Sequence, residues 1–351
     1  GDGMLQFILR RLGIMALTML CLTVIVFFMI SLEPNLKKLA ISQTEARATQ
    51  EQLDSWLQRN GYRQGFWTRY GQWLGIVAKQ PNIDPATGKT APRFVFCDEP
   101  DTATYSGILQ GDFGCSTKFR TKVENKLFPA LRATGILMFW VLATMVPISL
   151  LIGVLAGMRE GSRTDRTLSA VSILTTATPE YVSGVIFAVI FASWLGWLNG
   201  SAASATTQGV NFYNFTLPVM TLAIYGIGYI ARMTRASMLA VLSADFIRTA
   251  RASGLSATTV RVRYALRNAL LPVVTTLGMV FGFMLGSSVI IEKVFGWPGV
   301  GSYAIDALTA SDYAPVQGFV LAMGVLFVLL NLLVDVLYTL IDPRVSLGSE
   351  R

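Results

Sequence analysis

The chain has 351 residues, of which 52% are hydrophobic and 14% are charged, and it carries a formal net charge of +8 with no histidine. Soluble domains average about 25% charged residues, so this composition indicates a membrane protein. The lack of histidine excludes histidine-based acid–base catalysis, Ser–His and Cys–His triads and histidine metal sites. The positive charge does not indicate a nucleic-acid partner, because most basic residues lie at the ends of apolar segments.

Long segments without a charged residue recur along the chain. They cover residues 12–32, 133–158, 181–231, 268–291 and 313–334. About 20 apolar residues in a helix cross the hydrocarbon core of a bilayer, and the third segment is long enough for two crossings. We therefore predict an all-α membrane protein with six transmembrane helices, at residues 8–32, 132–157, 168–194, 215–235, 270–292 and 315–341.

The loops between these helices differ in charge, and the difference predicts the orientation of the chain. Residues 158–167 carry three arginines and 232–267 carry seven, whereas 195–214 has no charged residue. Because short cytoplasmic loops are rich in Lys and Arg, both termini are predicted to be cytoplasmic. The predicted parts are an N-terminus and first helix at 1–32, an extracytoplasmic segment of roughly 100 residues at 33–131, a five-helix core at 132–345 with a cytoplasmic loop at 236–268, and a C-terminal tail at 346–351.

Two of the three cysteines, Cys97 and Cys115, lie in the predicted extracytoplasmic segment, and Cys21 lies in the first predicted helix. An oxidising exterior favours a disulfide between Cys97 and Cys115. Two free thiols are the alternative.

The third predicted helix contains Thr178-Pro179-Glu180, which predicts a kink or a local unwinding. Glu180 would lie near the middle of the membrane, where a carboxylate costs about 3 kcal/mol on insertion scales. A residue at that depth faces a wet cavity or a polar partner, so we interpret Glu180 as lining a translocation path. The alternative is a protonated or hydrogen-bonded residue that stabilises the break after Pro179.

The basic loop 236–268 contains a predicted short helix at residues 244–253. Ser243 can cap its N-terminus, Asp245 lies in its first turn, and Gly254 can terminate it. An amphipathic helix of this kind is suited to a groove on a partner, whereas the alternative is a solvated basic loop. The residues predicted to meet a partner are Phe246, Ile247, Arg248, Ala250, Arg251 and Gly254.

The last predicted helix carries a polar stripe, formed by Asn331, Asp335, Tyr338 and Asp342. Their 4-3-4 spacing puts these residues on one helical face. We interpret Asn331, Asp335 and Tyr338 as residues of interhelical packing and hydrogen bonding, with a role in transport as the alternative.

Short motifs follow one another along most of residues 5–345. They are Gly111-Asp-Phe-Gly114, Arg232-Met-Thr-Arg-Ala-Ser237, Phe246-Ile-Arg-Thr-Ala-Arg-Ala-Ser-Gly254 with Ala265-Leu-Arg-Asn-Ala-Leu-Leu-Pro272, Glu292-Lys-Val-Phe295 with Pro298-Gly-Val-Gly301, Asp312-Tyr-Ala-Pro315, and Asn331 through Asp335 and Tyr338 to Asp342-Pro-Arg344. In this order they resemble the oligopeptide/dipeptide/nickel ABC permease family, the inner-membrane subunits of binding-protein-dependent importers.

This resemblance implies a type I ABC importer permease fold and a transport subunit without catalytic residues or a metal site. It implies a second homologous permease subunit, one or two ABC ATPase subunits, an extracytoplasmic solute-binding protein and a lipid bilayer as partners, and no nucleic acid. ATP and Mg²⁺ would be bound by the ATPases, so this chain would hold no cofactor. The membrane would be the bacterial cytoplasmic (inner) membrane, the loop 236–268 would couple to the ATPases, and the solute would be a peptide or a similar small molecule.

The sequence departs from the family pattern in two ways. Ser253 and Tyr264 stand where the family often has Lys and His, so contacts of those side chains do not carry over. The outer segment is longer than usual around residues 79–106, and no family role transfers to that insertion.

Two other classes of membrane protein differ from this sequence in features that they require. An ion-gradient-driven secondary transporter would use Glu180 and Asp335 as proton or cation sites, but it would carry an internal inverted repeat, which the sequence does not display. An intramembrane enzyme would need a nucleophile–base pair, and the sequence offers no convincing pair.

Overall fold

The computed structural model describes residues 2–341, and this part of the chain is mainly helical. The N-terminal helices are α1 (Asp2–Ile30), α2 (Glu33–Gln43), α3 (Gln50–Arg59) and α4 (Phe66–Leu74). Two short antiparallel hairpins follow, β1 (Asn82–Ile83) with β2 (Thr90–Ala91) and β3 (Cys115–Ser116) with β4 (Thr121–Lys122). The later helices are α5 (Glu124–Met158), α6 (Arg163–Ala177), α7 (Glu180–Phe187), α8 (Ala205–Gln208), α9 (Phe212–Leu242), α10 (Asp245–Ala252), α11 (Ala257–Thr259), α12 (Arg267–Phe295), α13 (Val300–Thr309) and α14 (Tyr313–Ile341).

Five helical stretches within residues 2–341 are long and apolar enough to cross a membrane. They are Gly3–Ile30, Glu124–Met158, Phe212–Leu242, Ala257–Phe295 and Tyr313–Leu340. A sixth crossing is possible if α6 and the helical stretch Glu180–Trp194 count as one broken span. The charge-free segments of the sequence therefore correspond to apolar helices.

Three helices extend seven or more residues beyond a predicted end, so the predicted boundaries are corrected there. The helix predicted at 132–157 begins earlier, at Glu124, because Val123 and Leu127 are fully buried at its start. The helix predicted at 215–235 continues to Leu242, and a π-helix, Val260–Leu266, joins α11 to α12. Much of the predicted loop 236–268 is therefore helical, since polar and charged side chains do not by themselves end a helix that has good helix formers such as Ala, Leu and Arg.

The chain divides into two compact units, and one of them consists of residues 12–132 and 299–326. Within it, α2 and α3 pack through a small cluster of Leu36, Ala40, Leu53 and Leu57. The side chain and backbone of Thr49 form a capping box with Gln52, which fixes the start of α3. This part of the predicted extracytoplasmic segment therefore has an apolar core of its own.

The other unit consists of the described residues of 1–11, 133–298 and 327–351. At its centre, α9 packs against α6, α7 and α12. A Cβ atom at Gly153 of α5 would lie 2.7 Å from the carbonyl oxygen of Ala231, and one at Gly157 would lie 2.7 Å from Cβ of Met238. The Gly-x-x-x-Gly spacing therefore allows α5 to approach α9 closely, as small residues do in membrane helix pairs.

Candidate functional site

The short basic helix predicted in the loop 236–268 is present as α10, which follows the N-cap residue Ala244. Ser243 does not cap it, because its hydroxyl donates to the carbonyl oxygens of Leu239 and Ala240, both at 3.1 Å. The prediction of a Ser243 cap was wrong. Helix α9 continues to Leu242, so its last carbonyl groups compete for the serine hydroxyl.

Two of the six residues predicted to meet a partner face the core of this chain instead. Ile247 is 0% exposed and Ala250 is 7% exposed, and both belong to a cluster with Met238, Val260 and Ala265. Burial of apolar surface contributes about 25 cal/mol per Å², so a short amphipathic helix is stabilised by covering its apolar side within the chain. Ile247 and Ala250 therefore offer no surface to a partner, which corrects their predicted role.

The other face of α10 is open to solvent. Phe246 is 43% exposed, and Arg248 and Arg251 are exposed as well. Gly254 follows the helix with φ of +76°. This left-handed backbone favours glycine, and a Cβ there would meet no atom within 4 Å. We call Phe246, Arg248, Arg251 and Gly254 the α10 outer face.

The helix that contains Pro179 is broken rather than kinked. Helix α6 and the stretch beginning at Glu180 meet at an angle of 105°. The hydroxyl of Thr178 donates to the carbonyl oxygen of Leu174 at 2.9 Å, which satisfies one of the carbonyl groups at the end of α6. The structure therefore has a break where the sequence predicted one, and the change of direction is larger than a proline kink.

Glu180 lines a cavity of about 260 Å³ whose walls come from the end of α6, the break at Thr178-Pro179, and α7, α9 and α12. The other side chains include Tyr225, Phe283 and Ser287. One carboxylate oxygen of Glu180, Oε1, is buried without a hydrogen-bond partner in the described part of the chain. Such an oxygen can accept a hydrogen bond from a molecule in the cavity, so this arrangement suits a polar group of a solute or a water molecule.

A bidentate ion pair joins α6 to α9. Arg235 Nε and Nη2 donate to the two carboxylate oxygens of Asp165 at 2.6 Å and 2.9 Å. The backbone N–H of Gly161 and the hydroxyl of Ser169 also donate to Asp165. Asp165 is almost fully buried, so its charge is neutralised by these donors. This pair was not predicted from the sequence, in which Asp165 lies in the predicted loop 158–167 and Arg235 ends the helix predicted at 215–235.

In the described part of the α14 polar stripe, Asp335 forms an ion pair. Arg11 Nη2 lies 2.8 Å from Asp335 Oδ2, and both side chains are partly exposed. This contact joins α1 to α14 and agrees with a packing role for Asp335. Asn331 and Tyr338 are half-buried on the same helix, while Asp342 and Arg344 lie outside the described residues.

The sulfur atoms of Cys97 and Cys115 are bonded to one another. Cys97 ends a turn of 3₁₀-helix, and Cys115 begins β3. Both residues are buried, so the bond lies inside the unit formed by residues 12–132 and 299–326.

The motif Glu292-Lys-Val-Phe295 begins with a buried acidic residue whose contacts were not predicted from the sequence. Glu292 is 0% exposed, and the hydroxyl of Thr134 donates to its Oε1 at 2.6 Å. Trp297 is also fully buried, and its indole N–H donates to the carbonyl oxygen of Ala133 at 3.1 Å. In the sequence, the one sign of the Thr134–Glu292 contact is that the acidic residue Glu292 directly follows the charge-free segment 268–291.

Comparison with known proteins identifies the chain. Residues 149–347 match the family described as "Binding-protein-dependent transport system inner membrane component". Glutathione transport system permease protein GsiC of Salmonella paratyphi A is 32% identical over 346 residues, covering 97% of this chain and 99% of that protein. The chain belongs to this family. It is a permease subunit of an ABC importer, and its long apolar helices make it a multi-pass inner-membrane protein.

Other similar proteins include further ABC transporter subunits. A probable peptide ABC transporter permease protein of Sinorhizobium fredii, y4tP, is 39% identical over 242 residues, covering 68% of this chain and 77% of that protein. A solved structure of the methionine ABC transporter MetNI has a TM-score of 0.48 and 18% identity, covering 63% of this chain and 96% of that chain. The family match favours the ABC importer permease over the ion-gradient-driven secondary transporter that used Glu180 and Asp335.

Proposed function

We propose that this ABC importer permease forms half of a pore that admits peptides or similar small solutes. The observation that supports this solute class most strongly is the match over nearly the whole chain to a glutathione permease, together with the match to a probable peptide permease. Glutathione is itself a small peptide, so both names point to one chemical class.

We infer six crossings of the inner membrane with both termini on the cytoplasmic side. The broken helix around Pro179 would be the third crossing, and the segment 33–131 would lie outside the membrane. The arginine-rich loop between α9 and α12 would then face the cytoplasm, in agreement with the positive-inside rule. The division of the chain into 1–32, 33–131, 132–345 and 346–351 is part of this proposal.

Labelling of single cysteines in intact cells tests the topology. A cysteine at Ser204 should react with a membrane-impermeant maleimide, and a cysteine at Ser256 should react only after the membrane is permeabilised. External labelling of Ser256→Cys in intact cells would contradict the orientation.

We propose a second homologous permease, one or two ABC ATPases and a solute-binding protein as the partners of this chain. ATP and Mg²⁺ would be bound and used on the ATPases, and this chain would supply no catalytic group. The α10 outer face is the proposed contact with an ATPase, because it combines one exposed aromatic side chain with two exposed cations. Gly254 would contribute through its backbone.

The packing of α10 offers a route from the ATPase to the cavity. Ile247 and Ala250 are buried against Met238 of α9 and Val260 next to α12, so a push on α10 acts on both long helices. The same two helices carry Tyr225 and Ser287, which line the Glu180 cavity. A rigid-body movement of α9 and α12 would therefore change the width of the cavity.

The solute is identified by mass spectrometry of the molecule retained by the cognate solute-binding protein, followed by an uptake assay with that molecule. A peptide or a peptide-like compound is the expected result. A sugar or an inorganic ion as the transported solute would overturn the proposed solute class.

A further inference from the structure

A second cavity, of about 170 Å³, lies in the unit formed by residues 12–132 and 299–326. Its walls include α4 and the segment 79–106, which the sequence analysis identified as an insertion. The cavity is thus separate from the Glu180 cavity, which lies in the other unit. Neither the family match nor the named relatives assign it a role.

Three nitrogen donors from residues that line this cavity are buried without an acceptor in the part of the chain that the structure describes. They are the Nε atoms of Arg69 and Arg93 and the indole N–H of Trp73. Arg69 and Trp73 are one helical turn apart on α4, and Arg93 comes from the insertion. Buried polar groups in folded proteins are nearly always hydrogen-bonded, so three orphan donors around one cavity indicate a missing acceptor.

The charges around the cavity are only partly balanced. Lys79 pairs with Asp112 at 3.4 Å, so these two charges compensate each other. Arg69 lies over the ring of Phe27 at 5.6 Å, but among the described residues neither Arg69 nor Arg93 forms an ion pair with a carboxylate. With Glu99 also on the wall, the uncompensated lining groups sum to one positive charge. That balance fits a monoanion better than a dianion.

Arg63, in the same unit, is an arginine whose charge is neutralised by carboxylates of this chain. Arg63 donates to Glu33 at 2.7 Å and to Asp54 at 2.5 Å, so its charge is satisfied within the chain. Arg69 and Arg93 are more buried than Arg63 and yet have no carboxylate partner among residues 2–341. Burial without a partner is costly for a charged group, and a bound anion offsets this cost.

The remaining wall of the cavity is aromatic. Phe27, Tyr62, Trp73 and Phe94 contribute rings to it. An apolar group of a ligand can pack against these rings while its charged end reaches the two guanidinium groups.

We propose that this cavity binds a small organic monoanion, a carboxylate with an apolar body, through Arg69, Arg93 and Trp73. The carboxylate accepts hydrogen bonds from the guanidinium groups and the indole N–H, which supplies the missing acceptor. The body of the ligand occupies the aromatic part of the cavity. This site lies outside the Glu180 cavity, so the proposal does not depend on the identity of the transported solute.

Isothermal titration of the purified importer in lipid nanodiscs tests the site, with phenylacetate as the probe and phenylacetamide as its neutral counterpart. We expect one saturable phenylacetate site per chain. Phenylacetamide and the variant Arg93→Gln should each bind roughly tenfold more weakly or worse, as expected when a charge-assisted hydrogen bond is lost. Arg47→Gln, an exposed arginine of the same unit, and Glu180→Gln should bind like the wild type.

Folding of the variants is checked separately, by the melting temperature without ligand and by retention of the Cys97–Cys115 bond. Because Arg93 has no ion-pair partner among the described residues, Arg93→Gln should melt no earlier than the wild type, and Arg93→Lys serves as a second, charge-retaining variant. Equal phenylacetate affinity in Arg69→Gln, Arg93→Gln and the wild type would overturn the proposal, as would no saturable binding in a folded wild type. Stronger binding of inorganic phosphate than of phenylacetate would contradict the proposal that the cavity prefers an organic monoanion.

Discussion

Arg235 and Asp165 form a bidentate ion pair, with Nε and Nη2 of the arginine 2.6 Å and 2.9 Å from the two oxygens of the aspartate. The pair joins the start of α6 to the second half of α9. It therefore fixes the helix before the break at Pro179 relative to the helix that carries Tyr225 on the wall of the Glu180 cavity. We regard it as a positioning contact for the proposed path.

Removing one member of this pair should destabilise the protein. Asp165→Ala leaves the partly buried Arg235 without its partner, and we expect a loss of about 1–3 kcal/mol in the free energy of unfolding. Thermal unfolding in detergent measures the loss. The matched control is Asp245→Ala, which removes an exposed acid with one long contact to Arg248 and should change stability by less than about 0.5 kcal/mol. Equal stability of both variants would contradict the role of the pair.

The α10 outer face should matter for coupling but not for folding. Phe246→Ala removes an exposed ring, so we expect normal expression and melting together with at least roughly tenfold less ATP-driven uptake. Ile247→Ala instead creates a cavity in the core and should cost about 2–5 kcal/mol of stability. Melting curves and uptake of the two variants separate these effects. Normal uptake in Phe246→Ala, with ATPase hydrolysis still stimulated by the loaded binding protein, would remove Phe246 from the coupling contact.

The prediction of the Cys97–Cys115 bond has a direct chemical test. Alkylation of the unreduced protein followed by intact-mass analysis should label Cys21 and neither of the other cysteines. The bond closes a loop with a sequence separation of 18, so Cys97→Ser should cost roughly 3 kcal/mol in the chain-entropy account. Alkylation of Cys97 and Cys115 in the unreduced protein would refute the bond.

Asp312 should make stability depend on pH. Its carboxylate is 1% exposed and accepts hydrogen bonds from the Ser116 hydroxyl at 2.5 Å and the Lys118 N–H at 3.2 Å. Burial raises the pKa of Asp312 above its ordinary value of 3.8, although these donors oppose the shift. The folded protein then holds the proton more tightly than the unfolded chain, so the contribution of Asp312 to stability falls as the pH rises from about 4 through the raised pKa.

Asp312→Asn keeps an acceptor oxygen without the charge. The melting temperature of this variant relative to the wild type should therefore rise between about pH 4 and pH 7. Asp312→Ala serves as the control, because it leaves the Ser116 hydroxyl without an acceptor and should lower stability at every pH. A difference between Asp312→Asn and the wild type that stays constant with pH would contradict the raised pKa.

The positions of the apolar helices and of the break at Pro179 could be predicted from the sequence alone. Helices in a membrane must be apolar over about 20 residues, so hydropathy alone locates them, and proline removes a helical hydrogen bond wherever it stands. The end of the short helix at Gly254 was also predicted, and Gly254 adopts the left-handed backbone that glycine tolerates at a helix end. These features depend on neighbours along the chain.

Features that depend on distant neighbours were missed or misassigned. The amphipathic pattern of α10 indicates that Ile247 and Ala250 are covered, but it does not say whether a partner or the chain itself covers them. Asp165 and Arg235 are 70 residues apart, and many other arginines could have paired with this acid. The start of α5 depends on the burial of Leu127 in a cluster with α13.

Glu180→Gln tests the proposed path. The amide keeps the size of the side chain but removes the negative charge, so assembly should be normal while the uptake rate or its pH dependence changes. Blue-native electrophoresis and uptake at several pH values measure the two properties. Unchanged uptake across the pH range would favour a structural role for Glu180 at the break.

The most direct test of the account is solute uptake by proteoliposomes that contain the importer assembled around this chain, with the loaded binding protein outside and ATP inside. We predict uptake of a radiolabelled peptide that requires ATP and the binding protein, continues when ionophores collapse all ion gradients, and is lost in Phe246→Ala. Uptake that proceeds without ATP and stops when the ion gradients collapse would contradict the account.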